Sequence, residues 1–194
     1  DVNIAFANEL SVICDHNGIN VWELIRLANR HPRVDILQPG PGVGGHCIAV
    51  DPWFIVASNP NESKLIKAAR NVNDHKPFFV LDKVEKAAEK FKKPIIACLG
   101  LSFKANVDDL RESPALQIVN QLAVKSIGEI TVVEPFIDKL PASLSEKNIQ
   151  LLSLDTALEK ADIVLLLVDH NQFKTIASDR LNTKIVLDTR GVWS

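Results

Sequence analysis

The chain has 194 residues, 46% of them hydrophobic, with 22 lysines and arginines against 24 aspartates and glutamates. That composition suffices for one large domain or two small ones with a real core, and the balanced charge, without a basic run or aromatic–basic interleaving, excludes nucleic acid as a partner. The longest apolar run, Ile163 to Val168, is too short to cross a bilayer, and no signal peptide opens the chain, so no membrane partner is expected. Cys14, Cys47 and Cys98 are widely separated and form no C-x-x-C pair, which fits a reducing, cytoplasmic location and no metal site.

There is no methionine, and "DVNIAFANEL" already reads as a helix interior through Val2, Ile4, Phe6, Leu10 and Ile13, so a piece of a longer protein is expected. This first helix is predicted to run to Asn17 and to stop at Gly18. "NVWELIRLANR" predicts a second helix capped by Asn20, with Glu23 three residues on. After a glycine-rich loop, "NESKLIKAARNVNDHKPFFVLDKVEKAAEKF" has helical periodicity, which Pro77 is expected to kink or divide. At Lys92-Lys93-Pro94 the pattern changes. "PIIACLGLSF" is a continuous apolar run typical of a strand buried on both faces, and Ser113-Pro114 then begins a helix. Strand "EITVVEP", helix "LDTALEKA", strand "DIVLLLVDH" and strand "KIVLDTRGV" complete an alternating order. The fold class is therefore α/β: a helical region over residues 1–93, then a small doubly wound parallel-sheet, Rossmann-like domain over 94–194. No G-x-G-x-x-G follows its first strand; "GLSFKANVDDLRES" stands there instead.

The stretch "PGPGVGGHCIAVDPW" concentrates the chemistry. Gly40, Gly42, Gly44 and Gly45 allow positive φ, close approach to a ligand, or an anion-binding concavity; a plain tight turn needs the same residues. Cys14 and Cys98 lie among apolar residues and read as core, whereas Cys47 follows the loop and is the candidate nucleophile. Asp51, four residues later, can orient a water or take a proton. His46 can act as a base, although neighbours in extended chain point apart. After the first strand of the second region, Lys104 and Arg111 suit phosphates, and Phe103 suits a base stack or the core.

The two motifs, "PGPGVGGHCIAVDPW" and "GLSFKANVDDLRESPA", resemble those of the UDP-sugar 6-dehydrogenases of the UDP-glucose/GDP-mannose dehydrogenase family, and the resemblance spans essentially the whole chain. It implies oxidation of a UDP-sugar C6 alcohol to a carboxylate with two NAD, through a thiohemiacetal and a thioester on Cys47, with Asp51 assisting the water and proton steps. It further implies substrate contacts at Gly42, Gly44, Gly45, His46, Phe103 and Lys104, an NAD phosphate contact at Arg111, and a homodimer. Arg33 in "HPRV" matches an arginine that crosses to the partner's substrate, and Arg190 in "DTRGV" a further substrate contact. Where UDP-glucose enzymes carry serine and lysine before the cysteine and the aspartate, this chain has His46 and Val50. It is similar there to the N-acetylamino-sugar branch, which implies UDP-N-acetyl-D-mannosamine as substrate and UDP-N-acetylglucosamine as the alternative. The family's N-terminal NAD-binding domain is missing, so the chain alone is expected not to turn over. Two other readings stand beside this one: a non-catalytic nucleotide-sugar binding or assembly module, and a cysteine acyl-transfer enzyme using Cys47 and His46.

Overall fold

The computed structural model describes residues 1–193. Helices α1 (Val2–His16), α2 (Val21–Ala28), α3 (Asp51–Ser58) and α4 (Lys64–Ala88) come first. The chain leaves α1 through Gly18 at φ 68°, a left-handed position that glycine adopts without strain, and Asn20 Oδ1 then accepts the N–H groups of Trp22 and Glu23 at 2.9 and 3.1 Å. The resulting helix pair closes on Cys14, Val21 and Ile25.

Two expectations change here. Helix α4 runs unbroken through Pro77, whose buried ring packs beneath Gly42; its neighbours His75, Phe78 and Phe79 are only moderate helix formers, so packing of α4 on α1 and on the sheet core carries the helix past the missing N–H. The region between α2 and α4 is also not all loop, because α3 begins at Asp51 with a proline in its first turn.

The contact between α1 and α4 buries an amine. Lys76 is 6% exposed; its ammonium donates to Ser11 Oγ at 2.6 Å and sits 4.6 Å from the centre of the Phe79 ring. Burial, reinforced by the charge of Lys83 and opposed by Asp15, pushes Lys76 down to about 8. Below about pH 8 the amine is charged in both states, and the folded state carries the full cost of burying it. Between about 8 and 10.5 the folded form has shed its proton and the unfolded form has not, so stability climbs with pH across that window. Lys76→Met should therefore raise unfolding stability at pH 7 by about 2–3 kcal/mol and flatten this rise. Denaturant titrations at pH 7 and pH 10 measure both effects, and a variant less stable than the parent at pH 7 would refute them.

The second half carries β1 (Ile95–Leu99), α5 (Pro114–Lys125), β2 (Glu129–Val133), α6 (Ala142–Ser145), β3 (Gln150–Leu151), α7 (Leu154–Lys160), β4 (Ile163–Leu166), α8 (Asn171–Lys174) and β5 (Ile185–Asp188). The strands form one parallel sheet in the order β3-β2-β1-β4-β5. In the central strand β1, Ile96 and Cys98 face one core layer and Ala97 and Leu99 the other, as its unbroken apolar run requires. The first layer also takes Ile118 and Leu122 of α5 and Val80, Leu81 and Val84 of α4, so the long helix packs against the sheet. Burial raises the Cys98 thiol to about 12, which makes it an inert core residue. Ser113 Oγ accepts from Leu116 N–H at 3.2 Å and caps α5 as predicted. Strand order reverses between β1 and β4, and in such sheets ligands bind beyond the carboxyl ends of the strands at the reversal. No helix among the described residues is long and apolar enough to cross a membrane.

Candidate active site

The glycine loop is tied at both ends by buried side chains of α1 and α4. Asn8, fully buried, accepts Gly40 N–H at 2.9 Å and donates to Asn73 Oδ1 at 2.9 Å. Asn73 donates to the Asp1 carboxylate at 2.8 Å, and Arg70 bridges the same carboxylate at 2.9 Å and the Ile48 carbonyl at 3.1 Å. The segment bearing Cys47 is thus clamped on either side of the thiol.

Between the clamps the loop is keyed into the second half of the chain. Gly45, at φ 87°, donates its N–H to Arg111 O at 3.3 Å, and a Cβ on Gly44 would lie 2.5 Å from the Glu112 carbonyl and 2.9 Å from Phe103 Cβ. These two glycines are required by close approach to the chain's own backbone and to Phe103. Phe103 is half-buried against them.

Cys47 is exposed, and its carbonyl accepts the N–H groups of Val50 and Asp51 at 3.1 and 2.8 Å, a turn that feeds directly into α3. Asp51 is therefore one turn beyond the thiol, at the head of the helix. Arg111 lies beside them with its Nε and Nη2 on the Asp109 carboxylate at 3.0 and 2.6 Å. Hydrogen bonds from Arg111 hold Asp109 down at about 2, helped by the charge of His46; Asp109 raises Arg111 in return, with Cys47 contributing. Cys47, His46, Asp109 and Arg111 consequently share one local field, and Asp51 borders it.

The other predicted residues gather at the sheet edge. Phe103 and Lys104 follow β1, and Arg190 follows β5, where its Nε and Nη2 hold Asp169 at 3.0 and 2.8 Å and its guanidinium passes beneath Gly40. Gly42, Phe103, Lys104, Asp169 and Arg190 line a small cleft of about 20 Å³. Arg33 stands apart on the exposed turn after α2, its N–H on His31 Nδ1 at 3.2 Å. The structure therefore makes two neighbouring groups, joined by Gly44 and Gly45, and leaves Arg33 outside both. Sequence reasoning missed the clamp residues Asn8, Arg70 and Asn73; their only signal is three polar side chains on helix faces that turn out buried.

Residues 1–75 match the central domain of the UDP-glucose/GDP-mannose dehydrogenase family and residues 97–194 its UDP binding domain. The chain belongs to the UDP-glucose/GDP-mannose dehydrogenase family. It is 63% identical over 194 residues to the NDP-N-acetyl-D-galactosaminuronic acid dehydrogenase of Ralstonia nicotianae, covering 100% of this chain and 45% of that protein. To the UDP-N-acetyl-D-mannosamine dehydrogenase of Escherichia coli K12 it is 59% identical over 201 residues, covering 100% of this chain and 48% of that one. Among solved structures, the UDP-N-acetyl-mannosamine dehydrogenase of S. aureus superposes with a TM-score of 0.82 at 38% identity, over 98% of this chain and 44% of that one. The UDP-D-ManNAc dehydrogenase of Pyrococcus horikoshii gives 0.84 at 34%, over 100% and 46%. The chain thus spans just under half the length of the family members it matches.

Proposed function

We propose that the chain is the substrate-holding half of an NAD-dependent dehydrogenase that oxidises the C6 alcohol of UDP-N-acetyl-D-mannosamine to the carboxylate of UDP-N-acetyl-D-mannosaminuronate. One observation carries this reading: the loop presenting the exposed Cys47 thiol is keyed, through Gly44 and Gly45, into the loop presenting Phe103 and Lys104. Nucleophile and nucleotide contact are one structural unit. In this reading residues 94–194 hold the UDP moiety, with Lys104 on the diphosphate and Phe103 and Arg190 beside it. Residues 1–93 carry the catalytic loop and the dimer contact, for which Phe6 and Ile13 of α1, both 53% exposed, offer an apolar stripe. Arg33 reaches the site of the second copy.

The overall change removes two hydride equivalents from C6 and adds one oxygen from water. NAD is the hydride acceptor that the family implies. The exit of β1 does not fit its pyrophosphate, since the glycine fingerprint is absent and the Leu101 and Ser102 N–H groups are already taken by Glu134; Arg111 is the residue that would meet the cofactor phosphates. At the aldehyde stage Cys47 Sγ adds to C6 and the carbonyl oxygen becomes the hydroxyl of a thiohemiacetal; oxidation of that adduct leaves a thioester. Asp51 then takes a proton from the water that attacks the thioester carbon, and the acid leaves as Sγ is restored. His46 and the glycine loop border the sugar. A galacto-configured substrate is the second reading, favoured by the relative at 63% identity.

The test is the NADH yield of the whole enzyme carrying this chain. Two NADH per UDP-N-acetylmannosamine, with slower use of UDP-N-acetylglucosamine and UDP-N-acetylgalactosamine, is expected; a single NADH, or none with any of these sugars, would overturn the assignment.

A further inference from the structure

In dinucleotide folds the amides at the exit of the first strand bind a pyrophosphate, and a carboxylate at the end of the second strand binds a ribose. In this sheet those two features meet each other. Glu134, directly after β2 and 5% exposed, accepts the N–H groups of Leu101 and Ser102 on Oε2 at 2.7 and 3.1 Å, and Phe136 N–H on Oε1 at 3.2 Å. His170, beyond β4 and fully buried, brings Nε2 to 3.2 Å from the same carboxylate and 3.3 Å from the Ser102 hydroxyl. Its ring is flanked by Phe136 and Phe173 at centroid distances of 5.0 and 5.4 Å.

The hydrogen bonds fix the tautomer. His170 Nδ1 accepts Asn106 N–H at 2.9 Å, so that nitrogen is bare, and the ring proton sits on Nε2 facing Glu134. Ser102 Oγ donates to the Lys104 carbonyl at 2.7 Å. The turn from Leu101 to Asn106 is therefore pinned at four backbone groups by Glu134, Ser102 and His170, and at the Leu101 carbonyl by Ser113 Oγ, while the Lys104 side chain remains exposed.

We propose that the Glu134–His170 pair is an internal substitute for phosphate: it fills the anion cradle at the exit of β1, excludes a dinucleotide pyrophosphate from it, and positions Lys104 and Phe103 for the diphosphate of a nucleotide sugar. Burial works against the charged Glu134 carboxylate, but the hydrogen bonds from His170 and Leu101 outweigh it and hold the carboxyl below its ordinary range. The pair never touches the ligand. It acts through Lys104, and the proposal rests on the reading of that lysine as the diphosphate contact.

The test is a double-mutant cycle on UDP binding by calorimetry, with nitrogen-15 spectra of the His170 ring. His170→Leu is expected to weaken UDP about tenfold or more, and His170→Gln, which can donate and accept in the same places, to stay within about threefold. Lys104→Ala added to His170→Leu should cost far less than it does in the parent, an outcome that simple destabilisation does not produce. If His170→Leu does not fold, Glu134→Gln takes its place, since its amide sets a donor against the backbone donors. Full additivity, unchanged binding in the His170 variants, or a ring carrying its proton on Nδ1 would overturn the brace while leaving the nucleotide site intact. Binding that ignores Lys104→Ala would instead overturn the site reading and the positioning role with it.

Discussion

Cys47→Ala in the whole enzyme should lower steady turnover by roughly a thousandfold or more while UDP-sugar affinity stays within about threefold. The separation follows from where the thiol sits. Cys47 is exposed, and the loop that carries it is held by Asn8 at Gly40, by Arg70 at Ile48 and by Gly45 on Arg111, none of which uses Sγ. Deleting the sulfur removes almost no packing. Cys14 and Cys98 are 2% and 0% exposed, so the same substitution there leaves a cavity and costs stability, not chemistry. A loss of only a few-fold at Cys47, with the two NADH retained, would remove it as the nucleophile.

Arg70→Met is the substitution expected to cost the most stability. The guanidinium is 1% exposed and pairs with Asp1, whose own side chain is 9% exposed, and with the half-exposed Asp74. Methionine fills much of the volume but leaves the Asp1 carboxylate buried with a single remaining donor, Asn73, and frees the Ile48 carbonyl. Removing one partner of a buried pair costs about 3–5 kcal/mol. Arg70 Nε and Asp1 Oδ2 already lack partners, which places the cost toward the lower end, about 3 kcal/mol, or roughly 6–12 °C in Tm for a chain of this size. Because Ile48 adjoins Cys47, turnover should fall as well. Thermal unfolding measures the first effect, and a drop below about 2 °C would mean that the network does not support the loop.

Local signals in the sequence account for most of the sheet. The apolar runs around β1, β2, β4 and β5 are long enough to identify, and Ser113-Pro114 marks the start of α5. Helix α3 escapes such a reading because it is apolar nearly all round and presents Trp53, Phe54 and Ile55 outward, so no amphipathic period appears. Strand β3 has two residues, too few for any pattern. Cys47, Phe103 and Lys104 stand out because each follows a distinctive motif. Arg70, Glu134 and His170 do not. Apart from Asp74 for Arg70 and Phe136 for Glu134, their partners are tens of residues away, as in Ile48 for Arg70, Leu101 for Glu134 and Asn106 for His170, and the local sequence does not announce them. For the glycines, the structure gives a reason that the sequence alone could not: a side chain at Gly44 would meet the Glu112 carbonyl, Pro114 and Phe103, and Gly45 combines a positive φ with the Phe103 ring above it.

The proposed function needs a uridine-nucleotide site at the carboxyl edge of the sheet, at Phe103 and Lys104, coupled to the Cys47 loop. A calorimetric titration of the chain with UDP and with ADP, repeated on Lys104→Ala, decides it. Saturable UDP binding is expected, with ADP weaker by about tenfold or more and a comparable loss for UDP in the variant. Equal affinity for UDP and ADP, or UDP binding unaffected by Lys104→Ala, would contradict it.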